Sequence, residues 1–137
     1  FNGIETYHDN SKGAERGRNI VFTIKADDIT VCHLGDLGHI LTEGQIKKIG
    51  SIDVLLIPVG GGPTIDKNAV DSVINSLKPR IIVPMHYKSD KCSFNIASID
   101  QFLKGRKGVR HFKESEITIT KDSLPHETEI FVIPPSN

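Results

Sequence analysis

The sequence has no surplus of charge. Seventeen Lys and Arg balance 17 Asp and Glu, giving a formal net charge of zero over 137 residues. A protein that grips nucleic acid through its phosphates needs a basic excess, so no nucleic-acid partner is expected. Long apolar runs are also missing. None approaches the roughly 20 residues needed to cross a bilayer, so no membrane span is expected. No secretory signal pattern is visible. The two cysteines, Cys32 and Cys92, form neither a disulfide framework nor a CxxC zinc pair. Cys32 sits inside an apolar run and reads as a small buried hydrophobe. This cysteine usage suits a reducing, cytoplasmic compartment. There is no internal repeat and no low-complexity tract. The chain opens at Phe1, within residues that read as a strand, which suggests that an N-terminal portion lies elsewhere.

What is present is enough for a core. Hydrophobic residues make up 37% of the chain, in dense short runs that fit one domain or part of a larger one. Ile4–His8, Asn19–Ile24 and Ile29–His33 read as strands, the last two joined by a turn at Asp27-Asp28. Thr42 and Gln45 form a capping-box pair for a short helix that ends near Gly50. Asp53–Pro58 carries a continuous apolar run after its aspartate and predicts a strand buried on both faces. Asp66 can cap a second helix with Ala69, Val70, Val73, Ile74 and Leu77 on one side. Pro79 ends it, and Ile81–Val83 is the next strand, which implies a parallel crossover. A third helix is expected over about Asn95–Leu103. Strands are expected at Val109–Phe112, Glu116–Thr120 and Glu127–Ile133. The pattern is α/β, with hairpins at both ends and βαβ units between.

Two apolar runs end in metal-ligand chemistry. Val31-Cys32-His33-Leu34 runs into Gly35-Asp36-Leu37-Gly38-His39, and Ile81-Ile82-Val83-Pro84 delivers His86. A strand fixes the backbone and the loop after it frees the side chain, so strand ends bearing Asp and His suit a cation. Imidazole nitrogen and carboxylate oxygen both ligate divalent transition metals. Asp36 alone would read as an ordinary turn residue, and His86 alone as a hydrogen-bonded core histidine. Together they favour a metal. His8 is a third histidine at a strand end. His33 and His39 flank Asp36 and are expected to support the site or the fold. His111 and His126 lie among charged residues and read as solvated. Gly60-Gly61-Gly62 lacks the spacing of a phosphate loop and implies close backbone approach or positive φ angles.

Three stretches, HLGDLGH (33–39), DVLLIPVGGGPTID (53–66) and IIVPMHY (81–87), resemble in this order the C-terminal half of metallo-β-lactamase-fold hydrolases. The nearest branch is the group of Zn-dependent hydrolases related to ascorbate-6-phosphate lactonase. The resemblance implies that residues 1–137 form half of an αβ/βα sandwich, a mixed sheet with helices on one face. It implies His8, Asp36 and His86 as metal ligands, with Asp36 bridging two ions and Asp36 and His86 essential to catalysis. The family's HxHxDH motif is absent from the sequence, so the chain is expected to be an incomplete catalyst by itself.

The chemistry implied is hydrolysis of a lactone, ester or phosphodiester in a small-molecule substrate. One or two zinc ions, or manganese or iron, would lower the pKa of bound water towards ~7. The loops at 60–64 and 88–93 would border the substrate. Arg16, Arg18 and Lys88 could meet an anionic group on it, although each also reads as an ordinary surface cation. The alternative is a non-catalytic α/β module that binds a partner through an exposed sheet face. On either reading an uncovered apolar face predicts pairing, with the missing N-terminal half or with a second copy.

Overall fold

The computed structural model describes residues 1–136. In chain order the elements are β1 (Asn2–Tyr7), β2 (Arg18–Ala26), β3 (Ile29–His33), α1 (Glu43–Ile49), β4 (Val54–Pro58), α2 (Lys67–Leu77), β5 (Ile81–Met85), α3 (Ile99–Leu103), β6 (Val109–His111) and β7 (Glu129–Val132). All seven strands join one mixed sheet in the order β1-β2-β3-β4-β5-β7-β6. β1, β2 and β3 are antiparallel neighbours, and the pairings from β3 onward are parallel.

Local chemistry explains most of these boundaries. The β2–β3 hairpin turns on Asp27 and Asp28, both at positive φ (50° and 62°). A two-residue hairpin with this geometry matches the twist of its strands, and Asp tolerates it better than most side chains. At α1 the capping box is complete. Thr42 Oγ1 accepts from Gln45 N at 3.2 Å, and Gln45 Oε1 accepts from Thr42 N at 3.0 Å. The Asp66 carboxylate caps α2 by accepting from Ala69 N at 2.8 Å. α2 ends at Lys78 in a left-handed conformation, just before Pro79.

Three expectations need correction. The third helix starts at Ile99, not near Asn95. Residues before it are drawn into backbone bonds elsewhere: Ala97 N donates to Gly60 O, and Lys88 N donates to Ala97 O, each at 2.8 Å. Glu116–Thr120 is not a strand. It belongs to a crossing segment in which Phe112, Ile117, Ile119 and Leu124 pack on the sheet. That crossing returns the chain so that β6 and β7 run parallel. The C-terminal end is therefore not a hairpin.

The sheet has two unlike faces. All three helices lie on one, where Ile49, Val70, Val73, Leu77 and Phe102 pack with Val21, Cys32, Leu55, Ile57 and Ile82. Cys32 is fully buried, and burial pushes its thiol up to about 12. It is therefore an inert packing group. The other face carries Val54, Ile81 and Phe131 under the crossing segment. This cover was not foreseen from the sequence, and it stops short of β1 and β2. There Ile20 and Ile24 remain 48% and 42% exposed, and Phe1 stacks on Phe22 at 5.2 Å. Among the described residues no helix is long and apolar enough to cross a membrane.

Leu55 is fully buried in the middle of β4. Leu55→Ala should cost about 2–5 kcal/mol, the lost transfer energy plus a cavity. A denaturant titration with unchanged slope is the check. The loop after β1 depends on one carboxylate. Asp9 is buried, and its two oxygens accept from the amides of Ser11, Gly13, Glu15 and Arg16 at 2.7–3.0 Å. These bonds, Arg16's first, hold its pKa down to about 2 from 3.8. A depressed carboxylate stabilises above its unfolded pKa and ceases to as pH falls through the folded value. The loop should therefore keep its protected amides at pH 4 and above and lose them between pH 4 and pH 2. Amide exchange at Ser11, Gly13, Glu15 and Arg16 would show this. Fraying that starts well above pH 4 would contradict it.

Candidate metal site

β1, β3 and β5 deliver His8, Asp36 and His86 just past their final residues. The turn after β3 brings Asp36 back towards β1, leaving Asp36 Oδ2 3.4 Å from His8 Nε2. The His8 side chain is 22% exposed and that of Asp36 52%. His86, Asp36 and His33 share one cleft of about 940 Å3, floored by Ile20, Phe22 and Met85. The sheet register explains the sharing. Phe22 is opposite His33, His33 is opposite Leu56, and Pro58, two residues further along β4, is opposite Met85 at the end of β5.

Two glycines seat the two histidines. Gly38 N donates to Tyr7 O at 2.9 Å, and a Cβ on Gly38 would stand 2.2 Å from the His8 carbonyl carbon. Gly60 N donates to His86 O at 2.9 Å, and a Cβ there would stand 2.3 Å from that oxygen. Each contact is open only to a residue without a side chain. The Gly60–Gly62 run thus fulfils both of its expected uses, since Gly61 and Gly62 take positive φ angles of 67° and 64°. His86 itself sits at φ 53°. That conformation costs a non-glycine residue of the order of 1–3 kcal/mol and persists where its surroundings impose it, most often at functional sites.

Hydrogen bonding separates the histidines. His39 has both ring nitrogens engaged: Nε2 accepts from Tyr7 N at 3.1 Å, and Nδ1 lies 2.8 Å from Ile40 O. The pattern assigns the proton to Nδ1 and makes His39 a structural clamp on the end of β1. His33 Nδ1 accepts from Gly35 N at 3.0 Å, inside the same turn. His111 and His126 are exposed. The Nδ1 atoms of His8 and His86 are buried without a hydrogen-bond partner among the described residues. Buried polar atoms are nearly always satisfied, and an exception calls for a reason; in His8 the orphaned atom is Nδ1, on the other side of the ring from the Nε2 that approaches Asp36. His8 and His86 are the two histidines that the sequence nominates as ligands.

The donors suit a transition-metal cation, yet they amount to only part of a site. Among the described residues no three His, Cys, Asp or Glu side chains converge closely enough to hold an ion. His8 and Asp36 converge, and His86 faces the same cleft from β5. A full tetrahedral set would need donors from outside these residues.

The remaining expected groups fall elsewhere. The Nζ of Lys88 donates to Cys92 O and Phe94 O at 2.9 and 2.8 Å, tying its own loop together. Arg18 lines the cleft and pairs with Glu5 at 3.2 Å. Arg16 lines a separate polar cleft of about 570 Å3 with Asp9, His39 and residues 62–66. That cleft holds none of His8, Asp36 and His86, whereas Asp36 and His86 line the apolar one and His8 stands beside it, against Asp36. Neither the 60–64 loop nor the 88–93 loop lines it. The sequence reading did not single out Asn19, whose side chain bonds the turn bearing Asp36.

Known proteins share this architecture. A crystal structure of a proposed Zn-dependent hydrolase of the metallo-β-lactamase superfamily from Thermotoga maritima superposes with a TM-score of 0.82 at 39% identity, covering 96% of this chain and 62% of that one. A UPF0173 metal-dependent hydrolase of Pyrococcus horikoshii is 33% identical over 89 residues, 63% of this chain and 39% of the relative. One from Nanoarchaeum equitans is 36% identical over 84 residues, 61% of this chain and 39% of the relative. The chain thus spans about two fifths of the curated relatives it matches. Its residues 1–86 match the family described as the beta-lactamase superfamily domain. With well over half of its length inside that match, and with the mixed sheet and strand-end residues described above, the chain belongs to the beta-lactamase superfamily.

Proposed function

We propose that this chain is the C-terminal half of a metal-dependent hydrolase that cleaves a lactone, ester or phosphodiester. The observation that carries the reading is the convergence of His8 Nε2 and Asp36 Oδ2, at 3.4 Å, beside the cleft that Asp36 shares with His86. Zinc is the favoured ion, one or two per site, although imidazole and carboxylate accept manganese and iron as well. A bound divalent cation supplies activated water and polarises the bond under attack.

The chain's own residues do the rest. His8 and His86 offer imidazole nitrogen from opposite sides of β3. Asp36 would hold the ion beside His8 with its carboxylate, one oxygen of which faces His8. Once covered, the apolar floor of Ile20, Phe22 and Met85 would exclude water around the reacting groups and strengthen their electrostatics. The Arg18 guanidinium at the rim can meet an anionic substrate group. The branch related to ascorbate-6-phosphate lactonase fits the motifs at 33–39, 53–66 and 81–87. A cytoplasmic setting fits the unpaired, buried thiol of Cys32.

Pairing follows from the open part of the second face. Ile20, Phe22 and Ile24 form an apolar strip with Phe1 stacked on it, and the relatives carry additional polypeptide. The cover is either that additional polypeptide or a second copy of this chain.

In the full-length protein, Asp36→Ala and His86→Ala should each abolish turnover of whichever of a chromogenic phosphodiester, a chromogenic ester and a simple lactone the native protein hydrolyses. Both should leave the thermal midpoint within a few degrees, since their side chains lie at strand ends outside the core. Retained turnover in either variant, at limiting metal, rejects the assignment. The isolated 137-residue chain should sediment as a dimer or larger species at micromolar concentration. A clean monomer of 15.1 kDa would show that the strip needs no cover.

A further inference from the structure

The turn that carries Asp36 is fastened to the sheet by one side chain. Asn19, near the start of β2, donates from Nδ2 to Leu34 O and to Thr6 Oγ1, both at 2.9 Å. Its Oδ1 accepts from Asp36 N at 3.0 Å. Thr6, fully buried on β1, donates back from Oγ1 to Asn19 O at 3.2 Å. The amide thus meets a carbonyl on one side of the turn and an N–H on the other. Only one orientation of an asparagine satisfies both, and no carboxylate or hydrocarbon can. Aspartate would set an acceptor against Leu34 O and add a charge beside Asp36.

The turn is shaped for this amide. Gly35 lies at φ 61°, and a Cβ on it would come within 2.5 Å of Asn19 Oδ1. A side chain at position 35 would push the turn off its anchor. Asn19 therefore fixes the carbonyl before Gly35 and the amide after it, the two backbone groups that bracket the approach to Asp36. The carboxylate of Asp36 is half exposed, and among the described residues the 3.4 Å contact with His8 is the one contact that holds it.

We propose that Asn19 is a positioning residue of the metal site: it aims the Asp36 carboxylate at the ion shared with His8 by bonding both sides of the Leu34–Asp36 turn. The inference rests on the proposed role of Asp36. Groups that orient metal ligands from behind typically contribute about 10- to 100-fold in metal affinity.

The test is zinc affinity of the full-length protein, measured by competition with a chromophoric chelator, for the native protein and for Asn19→Ala, Asp36→Ala and Val73→Ala. Val73 is a core residue of α2 remote from the cleft. Asn19→Ala should weaken zinc by about 10- to 100-fold, and the visible absorption of the cobalt-substituted protein should change with it. Val73→Ala should lower the thermal midpoint with zinc affinity unchanged. Should Asn19→Ala fail to fold, Asn19→Ser, whose hydroxyl is too short to span both backbone groups, carries the same expectation. If Asp36→Ala loses zinc while the Asn19 variants keep it within twofold and keep the native cobalt spectrum, the positioning role is overturned. It is equally overturned if Val73→Ala weakens zinc as much. If Asp36→Ala itself keeps native affinity, the reading of the site fails and the inference with it.

Discussion

The candidate site exists because backbone approaches backbone more closely than any side chain would allow. The sheet supplies three strand ends, but strand ends alone leave their side chains free to wander. Gly38 packs its Cα against the His8 peptide, and Gly60 packs against His86 O, each with an amide hydrogen bond of 2.9 Å. These contacts fix the histidine backbones from behind. They also explain how His86 is held in a left-handed conformation, since the bond to its carbonyl and the β5 ladder before it fix the peptide on both sides.

Attraction between the site residues would not do this. A half-exposed carboxylate near an imidazole at 3.4 Å is worth little, with ~0–1 kcal/mol typical of exposed ion pairs. Backbone bonds at the turn outnumber it. Leu34 N donates to Leu56 O at 3.1 Å and Gly38 N to Tyr7 O, while Asn19 holds both sides of Gly35. The backbone positions of His8, Asp36 and His86 are therefore set by the fold and not by their mutual attraction. That is the condition under which ligands contribute affinity without first being ordered.

The elements were legible where local chemistry decides them. The capping box at Thr42 and Gln45, the Asp66 cap and the Asp27-Asp28 turn all act within a few residues, so their signals survive in the sequence. His8, Asp36 and His86 were legible as strand-end residues. The failures share a cause. Ile117 and Ile119 alternate as a strand would, yet they pack on a sheet face and pair with nothing. Asn95–Ser98 have helical spacing, yet Ala97 is claimed by Gly60, 37 positions away in sequence. Asn19 looked like one polar residue opening a β-branched run. Its partners lie 13 to 17 residues away across two strand pairings, and no local pattern encodes that distance. An asparagine where strand propensity disfavours one was the available clue.

Cover for the second face and completion of the site are one problem. The crossing segment shields the face over β5 and β7 and ends before β2, so the bare strip of Ile20, Phe22 and Ile24 sits at the cleft itself. Ile20, Phe22 and Ile24 line that cleft together with Asp36 and His86. Polypeptide that settles on the strip must border Asp36 and His86, and if these residues ligate an ion as proposed, the ion and the cover would stabilise the same arrangement. Binding to the folded, covered state alone would tie the two equilibria together, each raising the other by the same factor. The partly assembled donor set and the partly covered sheet are thus two aspects of a single boundary. If the proposed cation site is built across that boundary, its missing donors and the missing cover would arrive together.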